Sequence, residues 1–253
     1  MSNDYKQKAT DLLKALETRD PKPFSYINPN KYIQHNLDVA NGPAGVAALA
    51  KSLPPNTKVR IVRVFLDGDF VFIHVEYDFF GPKIGFDIFR FEDGMIVEHW
   101  DNLQEAASGP GPSGHTMTDG PTKVTHLDRT EANKALLRRY MDDLLSGHRE
   151  TFPTYFNNGA YIQHNPWVAD TIPGLLAGLK SLADKGKALA YKKVHMILGE
   201  GNFVLVVTES TFGDVPTGIY DLYRIEDGKI AEHWDTLQTI PPRSEWKNDN
   251  GKF

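Results

Sequence analysis

The chain has 253 residues, with 28 Lys and Arg against 33 Asp and Glu, and a net charge of −5 at neutral pH. Because no basic cluster interrupts this acidic balance, nucleic acid and membrane surfaces are not expected partners. The chain has no Cys, which excludes disulfides, thiolate catalysis and Cys-based zinc sites. It shows neither a signal peptide nor an apolar run of ~18 residues, so the sequence predicts a cytoplasmic protein.

In the first half, apolar residues at helical spacing predict a helix that ends at Asp20-Pro21. Residues 32–36 (YIQHN) lead into a second helix that begins near Pro43 and stops at Pro54. Alternating apolar residues then predict four strands, at 59–66, 70–80, 84–92 and 95–103. The order is two helices followed by an antiparallel meander.

The second half repeats this order. Residues 87–104 and 221–238 are identical at twelve of eighteen positions, and residues 161–165 repeat YIQHN letter for letter. A Gly- and Pro-rich stretch separates the two copies. The chain is therefore predicted to be an internal duplication, with domains at 1–107 and 126–253 and a linker at 108–125.

The repeated stretch predicts a β-hairpin whose turn is Asp93-Gly94, a pair that suits a two-residue turn with positive φ. With this turn, Asp87 is expected opposite Trp100 and on one face with Phe89 and Glu98. The predicted opposite face carries Phe86, Ile88, Arg90, Val97, His99 and Asp101. His99 and its twin His233 are therefore interpreted as structural, although a one-residue slip would reverse this.

Under this register, Asp87 and its twin Asp221 are carboxylates among aromatic side chains. Such surroundings raise a carboxyl pKa toward that of a general base, so both are candidate catalytic residues. The alternative is that they are strand-end residues satisfied by backbone groups or by Arg90 and Arg224. The candidate substrate-binding residues on the same predicted faces are Glu98, Trp100, Glu232 and Trp234.

The YIQHN segments supply a second polar group. His35 and His164 are candidate catalytic residues, because an imidazole at the pocket would orient a carbonyl or stabilise an enolate. The alternative is that these segments cap the next helix or satisfy buried backbone. Metal binding by His35, His99 and Asp87 is disfavoured, since no HExxH spacing occurs. The neighbouring candidate substrate-binding residues are Gln34, Asn36, Gln163 and Asn165.

The YIQHN segment, the strand Asp and the EDG-x-I-x-EHWD hairpin together resemble the SnoaL-like polyketide cyclases. The resemblance covers nearly all of both halves and extends to the superfamily of nuclear transport factor 2, ketosteroid isomerase and scytalone dehydratase. It implies an α+β fold of two tandem cone-shaped domains, each with helices packed on a curved antiparallel sheet that encloses a pocket. It also implies that Asp87 and Asp221 are the acid/base groups of an aldol-type reaction.

The sequence thus predicts cofactor-independent proton transfer on a small apolar or carbonyl compound, as in an aldol-type cyclase, an isomerase or a dehydratase. The alternatives are a non-catalytic small-molecule binder and an assembly module that uses the outer sheet face. Since relatives with the cone fold commonly pair through that face, an intrachain pseudo-dimer is expected, and further homo-oligomers are compatible with it.

Overall fold

The computed structural model describes residues 2–157 and 160–253, which group into two compact units. The first unit comprises Met1–Glu105 and Ile240–Phe253, and the second comprises Ala106–Thr239. The predicted domains are continuous in sequence, whereas the first unit takes in the C-terminal segment. The reason is a set of hydrogen bonds from residues 247–252 to the first YIQHN sequence, to Leu37 just after it, and to Asp101 in the neighbouring strand.

The first unit begins with α1 (Ser2–Thr18), a 3₁₀ turn at Lys22–Tyr26 and the short strand β1 (Ile33–Gln34). The remaining elements are α2 (Pro43–Ser52), β2 (Lys58–Asp67), β3 (Phe70–Asp78), β4 (Pro82–Glu92) and β5 (Met95–Glu105). The strand order in the sheet is β1-β5-β4-β3-β2. All neighbours are antiparallel except β1, which runs parallel to β5.

The second unit repeats this plan with α3 (Thr130–Ser146), a 3₁₀ turn at Arg149–Tyr155 and β6 (Ile162–Gln163). It continues with α4 (Thr171–Asp184), β7 (Leu189–Glu200), β8 (Phe203–Phe212), β9 (Val215–Glu226) and β10 (Lys229–Thr239). The sheet order is β6-β10-β9-β8-β7, with β6 parallel to β10. Gly147 ends α3 with a φ of 78°, which a Gly adopts without steric cost.

The helices cover one face of each sheet, because each helix has a single apolar stripe that must be buried. In the first unit, α1 buries Leu12 and Leu16 in the same core as Ile73 and Phe89 of the sheet. The second unit has the same kind of core beneath α3. The predicted α+β class with two tandem sheet-and-helix domains is confirmed. Within the described ranges, no helix combines the length and apolar character needed to span a membrane.

The hairpin turns are as predicted, with φ of 50° at Asp93 and 78° at Gly94. The predicted register beyond the turn is wrong. A β-bulge at Val97 interrupts the pairing, so Asp87 lies opposite Asp101 and not opposite Trp100. Side chains alternate along a strand. The one-residue slip therefore places every side chain of β5 after Val97 on the face opposite to the predicted one. The second hairpin has the same irregularity between Ile230 and Glu232.

Candidate functional site

Asp87 is buried on the helix-facing side of β4, between Tyr77 of β3 and His99 of β5. Its Oδ2 accepts a hydrogen bond of 2.8 Å from the Tyr77 hydroxyl, and its Oδ1 lies 3.0 Å from Nε2 of His99. Burial raises the pKa of Asp87, although its hydrogen bonds with His99 and Tyr77 oppose this rise. The bulge thus brings Asp87 together with a His that was expected on the opposite face.

Hydrogen bonds of Gln34 in β1 restrict the protonation states of this pair. Oε1 of Gln34 accepts the backbone N–H of Asn36 at 2.9 Å, which identifies this atom as the carbonyl oxygen. Nδ1 of His99 lies 2.9 Å from the same oxygen and must therefore carry a proton. Nε2 can then face Asp87 in only two ways: a neutral imidazole beside a protonated carboxyl, or an imidazolium beside a carboxylate. In both states one proton lies between Oδ1 and Nε2.

The second unit contains the same pair. Oδ1 of Asp221 lies 2.9 Å from Nε2 of His233, and Nδ1 of His233 lies 2.9 Å from Oε1 of Gln163. That oxygen accepts the backbone N–H of Asn165 at 3.0 Å, so the argument made for His99 applies again. The hydroxyl of Tyr191 in β7 lies 3.3 Å from both carboxylate oxygens. Burial lowers the pKa of His233, but the two neighbouring carboxylates outweigh this effect and raise it.

A second carboxylate lies beside each pair. Asn36 donates to Asp101 in the first unit, and Asn165 donates to Asp235 at 2.8 Å in the second. Burial raises the pKa of Asp235 to about 6. In the first unit, Nζ of Lys252 donates to the backbone oxygen of Asp101 at 2.7 Å and lies 3.6 Å from its Oδ1. Burial lowers the pKa of Lys252. The presence of this Lys side chain beside Asp101 distinguishes the site of the first unit from that of the second.

His35 lies on the sheet face opposite to Asp87. Its Nε2 is 3.0 Å from Oε1 of Glu98, and its ring stacks on Trp100 with centroids 4.7 Å apart. Arg90 donates from Nε to the other oxygen of Glu98 at 2.7 Å. Burial alone would raise the pKa of Glu98, but the hydrogen bonds with His35 and Arg90 lower it. This group is a hydrogen-bonded cluster that does not contact Asp87.

The twin cluster in the second unit has matching geometry. His164 places Nε2 2.9 Å from Oε1 of Glu232 and stacks on Trp234 with centroids 4.5 Å apart. Arg224 donates from Nε to the other oxygen of Glu232 at 2.6 Å. The pKa of Glu232 is lowered, because these two partners outweigh burial.

The sequence-predicted site residues therefore divide between two faces. Those on the helix-facing side are Asp87, Gln34 and Asn36, with Asp221, Gln163 and Asn165 in the second unit. Those on the other face are His35, Glu98, Trp100, His164, Glu232 and Trp234. The sequence interpretation missed the helix-facing role of His99 and His233, because nothing in EHWD marks the bulge one residue before it.

Two segments cover the imidazoles of the outer clusters. The C-terminal strap (residues 247–253) places the backbone oxygen of Gly251 2.9 Å from Nδ1 of His35. The linker strap (residues 111–120) places the backbone oxygen of Thr116 2.8 Å from Nδ1 of His164. Since a carbonyl oxygen only accepts, Nδ1 donates in both units. Each imidazole thus ties a strap to its sheet.

Comparison with known proteins gives one family match and several similar structures. The family model of the SnoaL-like domain matches residues 9–99. TsrD from Streptomyces laurentii is 20% identical, with 41% of this chain and 90% of that chain covered and a TM-score of 0.37. An LEH-like epoxide hydrolase from M. tuberculosis is 17% identical, with 41% and 84% covered and a TM-score of 0.36. An NTF-2 like protein from Burkholderia xenovorans LB400 is 14% identical, with 43% and 89% covered and a TM-score of 0.37.

No curated protein matches the sequence. The family match spans the first YIQHN segment, the four long strands up to His99 and the buried Asp87–His99 pair. The second unit has the same sheet order and a buried Asp–His pair of its own. Residues 9–99 thus match the SnoaL-like domain, and the chain carries the same arrangement of helices and sheet twice.

Proposed function

We propose that this protein catalyses proton transfer on a carbonyl compound, with the Asp87–His99 and Asp221–His233 pairs as its acid/base groups. The observation that carries the proposal is the buried Asp–His contact in each unit, together with the Gln oxygen that lies against the far nitrogen of the imidazole. These contacts leave one proton between the carboxyl and the imidazole. A group that holds one proton between two basic atoms can both release and accept it, which general acid/base catalysis requires.

In the proposed step, the carboxylate of Asp87 takes a proton from the carbon next to a substrate carbonyl. The C–H bonding electrons form an enolate, and the imidazolium of His99 offsets the negative charge beside the carboxyl group. Return of the proton to another carbon isomerises the substrate. Alternatively, the enolate carbon attacks a second carbonyl, and the resulting alkoxide takes the proton back from the carboxyl group to give the aldol product. The buried neighbours Ile73 and Phe89 favour an apolar substrate over a sugar or a nucleotide.

The remaining residues take supporting roles. Gln34 and Gln163 are positioning residues, because each holds the tautomer and orientation of the imidazole that faces the catalytic carboxyl. His35 and His164, which were candidates for catalysis, lie on the other face and are assigned to holding the straps.

A non-catalytic small-molecule binder is the second candidate. It is favoured by the fact that both oxygens of Asp87 and both ring nitrogens of His99 already have protein partners. A fully partnered pair can serve packing alone. The two candidates differ in one respect that can be measured, since only an enzyme exchanges substrate protons with water.

The experiment is a screen for catalysed α-proton exchange. Enolisable ketones, β-keto esters and polyketide-like compounds are incubated with the chain in D₂O, and deuterium incorporation is followed by NMR. If the two sites act independently, Asp87→Asn and Asp221→Asn should each retain about half of the activity. A chain that binds these compounds without any exchange above the uncatalysed rate would leave the binder as the function.

A further inference from the structure

A cluster of metal-ligating side chains lies in the second unit, apart from the proposed catalytic pair. Asp119 of the linker strap places Oδ1 2.8 Å from Nδ1 of His164 and Oδ2 3.3 Å from Nδ1 of His115. The candidate ligand atoms of these three residues lie within 4.8 Å of one another. His164 is buried, whereas the side chains of His115 and Asp119 are 34% and 44% exposed, so the cluster is open to solvent on the strap side.

Both imidazoles are oriented in the same way. Each presents Nδ1 to Asp119 and turns Nε2 toward another carboxylate. Nε2 of His164 lies 2.9 Å from Glu232, and Nε2 of His115 lies 3.8 Å from Asp170. In metal sites, a His ligand often donates the N–H of its non-coordinating nitrogen to a carboxylate. This hydrogen bond fixes the orientation of the ring and makes the coordinating nitrogen a better ligand. His164 has this arrangement, whereas Asp170 lies near His115 but beyond hydrogen-bond distance.

We propose that His115, Asp119 and His164 bind one divalent metal ion of the Zn²⁺ class, which fixes the linker strap to the second sheet. Two imidazole nitrogens and one carboxylate oxygen are ligands that Zn²⁺ uses, and they leave one position of a tetrahedral shell for water. On binding, Nδ1 of His164 releases its proton and gives up its hydrogen bond to the oxygen of Thr116. The nearby carboxylates of Asp170 and Glu232 favour a cation at this position.

The buried groups around the catalytic pairs are less suited to a metal, although Asp87, His99 and Asp101 have similar spacing. All three of these residues are buried, whereas the side chains of His115 and Asp119 are partly exposed. A metal there would displace the hydrogen bonds that hold the pair.

The first unit provides an internal comparison for the metal site. Residues 247–253 contain no His, and Nδ1 of His35 faces the backbone oxygen of Gly251. Asp249, the one acidic residue of this strap, pairs with Arg243. The inference therefore predicts one metal ion per chain, bound in the second unit.

The test is calorimetric titration of the full chain with Zn²⁺ at neutral pH. The wild type should bind one ion per chain, and His115→Ala and Asp119→Ala should each weaken binding by ~10²-fold or more. His126→Ala, which removes an exposed His of the same unit, is the matched control and should bind as the wild type does.

A second readout is protease resistance of the linker strap, compared with and without Zn²⁺. Zn²⁺ should slow cleavage within residues 111–120 in the wild type and in His126→Ala, but not in His115→Ala. The inference is overturned if the wild type binds no Zn²⁺, or if both site variants bind it with unchanged affinity.

Discussion

The Tyr77 hydroxyl donates a hydrogen bond of 2.8 Å to Oδ2 of Asp87, whereas the hydroxyl beside Asp221 belongs to Tyr191 on a different strand. Tyr77 pairs with Val59 across β2 and β3, and Tyr191 pairs with Ser210 across β7 and β8. The two units thus supply a Tyr hydroxyl to the buried Asp from opposite members of the same strand pair. The position of the Tyr differs between the copies, but its contact is kept.

Tyr77→Phe should raise the pKa of Asp87 further and destabilise the first unit by about 1–3 kcal/mol, because a buried carboxyl oxygen loses its donor. The measurement is the free energy of unfolding in urea. Tyr5→Phe is the control, since the Tyr5 ring stacks on Phe91 of the same core. Equal stability of the two variants would show that the Tyr77 contact contributes nothing.

The raised pKa of Asp235 predicts a pH dependence of stability. Between the ordinary value of 3.8 and the folded value of about 6, the native state keeps a proton that the unfolded state has lost. The free energy of unfolding should therefore fall as the pH rises from 3.8 to about 6, by on the order of 3 kcal/mol in total. Unfolding free energies measured across the window should show a shallower fall in Asp235→Asn.

Asp214→Asn, at an exposed position of the same unit, is the control for this pH series and should follow the wild type. If Asp235→Asn also follows the wild type, Asp235 is ionised across the window and its raised pKa is refuted.

Lys252→Met should alter the first site selectively. The residue that follows the strap carbonyl is Lys252 in the first unit and Met117 in the second, and both are buried. Because Lys252 is a cation near Asp101 and Asp87, its removal should raise the pKa of Asp87. In an Asp221→Asn background, the acid limb of the pH–rate profile should therefore move to higher pH.

Lys247→Met removes an exposed cation of the same strap and should leave the acid limb in place. A Lys252→Met profile that superimposes on that of Lys247→Met would mean that Lys252 does not influence Asp87.

The sequence predicted the features that depend on local spacing. The hairpin turn at Asp93-Gly94, the long strands and the four α-helices follow from periodicity, turn residues and caps, which act within a few residues. The duplication was visible because the two copies still share YIQHN and EHWD.

The features that build the site depend on contacts between distant residues. The bulge at Val97 leaves no signal in a sequence that alternates on both sides of it, yet it moves His99 beside Asp87. The pairing of Gln34 with His99 joins residues 65 positions apart through a two-residue parallel strand. The C-terminal segment was assigned to the second domain, because its hydrogen bonds to the first unit follow from no local pattern.

The most direct test of the proposed chemistry compares two double variants in the proton-exchange assay. Asp87→Asn with Asp221→Asn keeps the side-chain shape but removes both bases, whereas Asp93→Asn with Asp227→Asn changes the exposed turns of the same hairpins, where Asn tolerates positive φ. With both proteins folded, the first should lose exchange activity by ~10²-fold or more and the second should retain it. Full activity in the Asp87 and Asp221 double variant would contradict the assignment of these carboxyls as the acid/base groups.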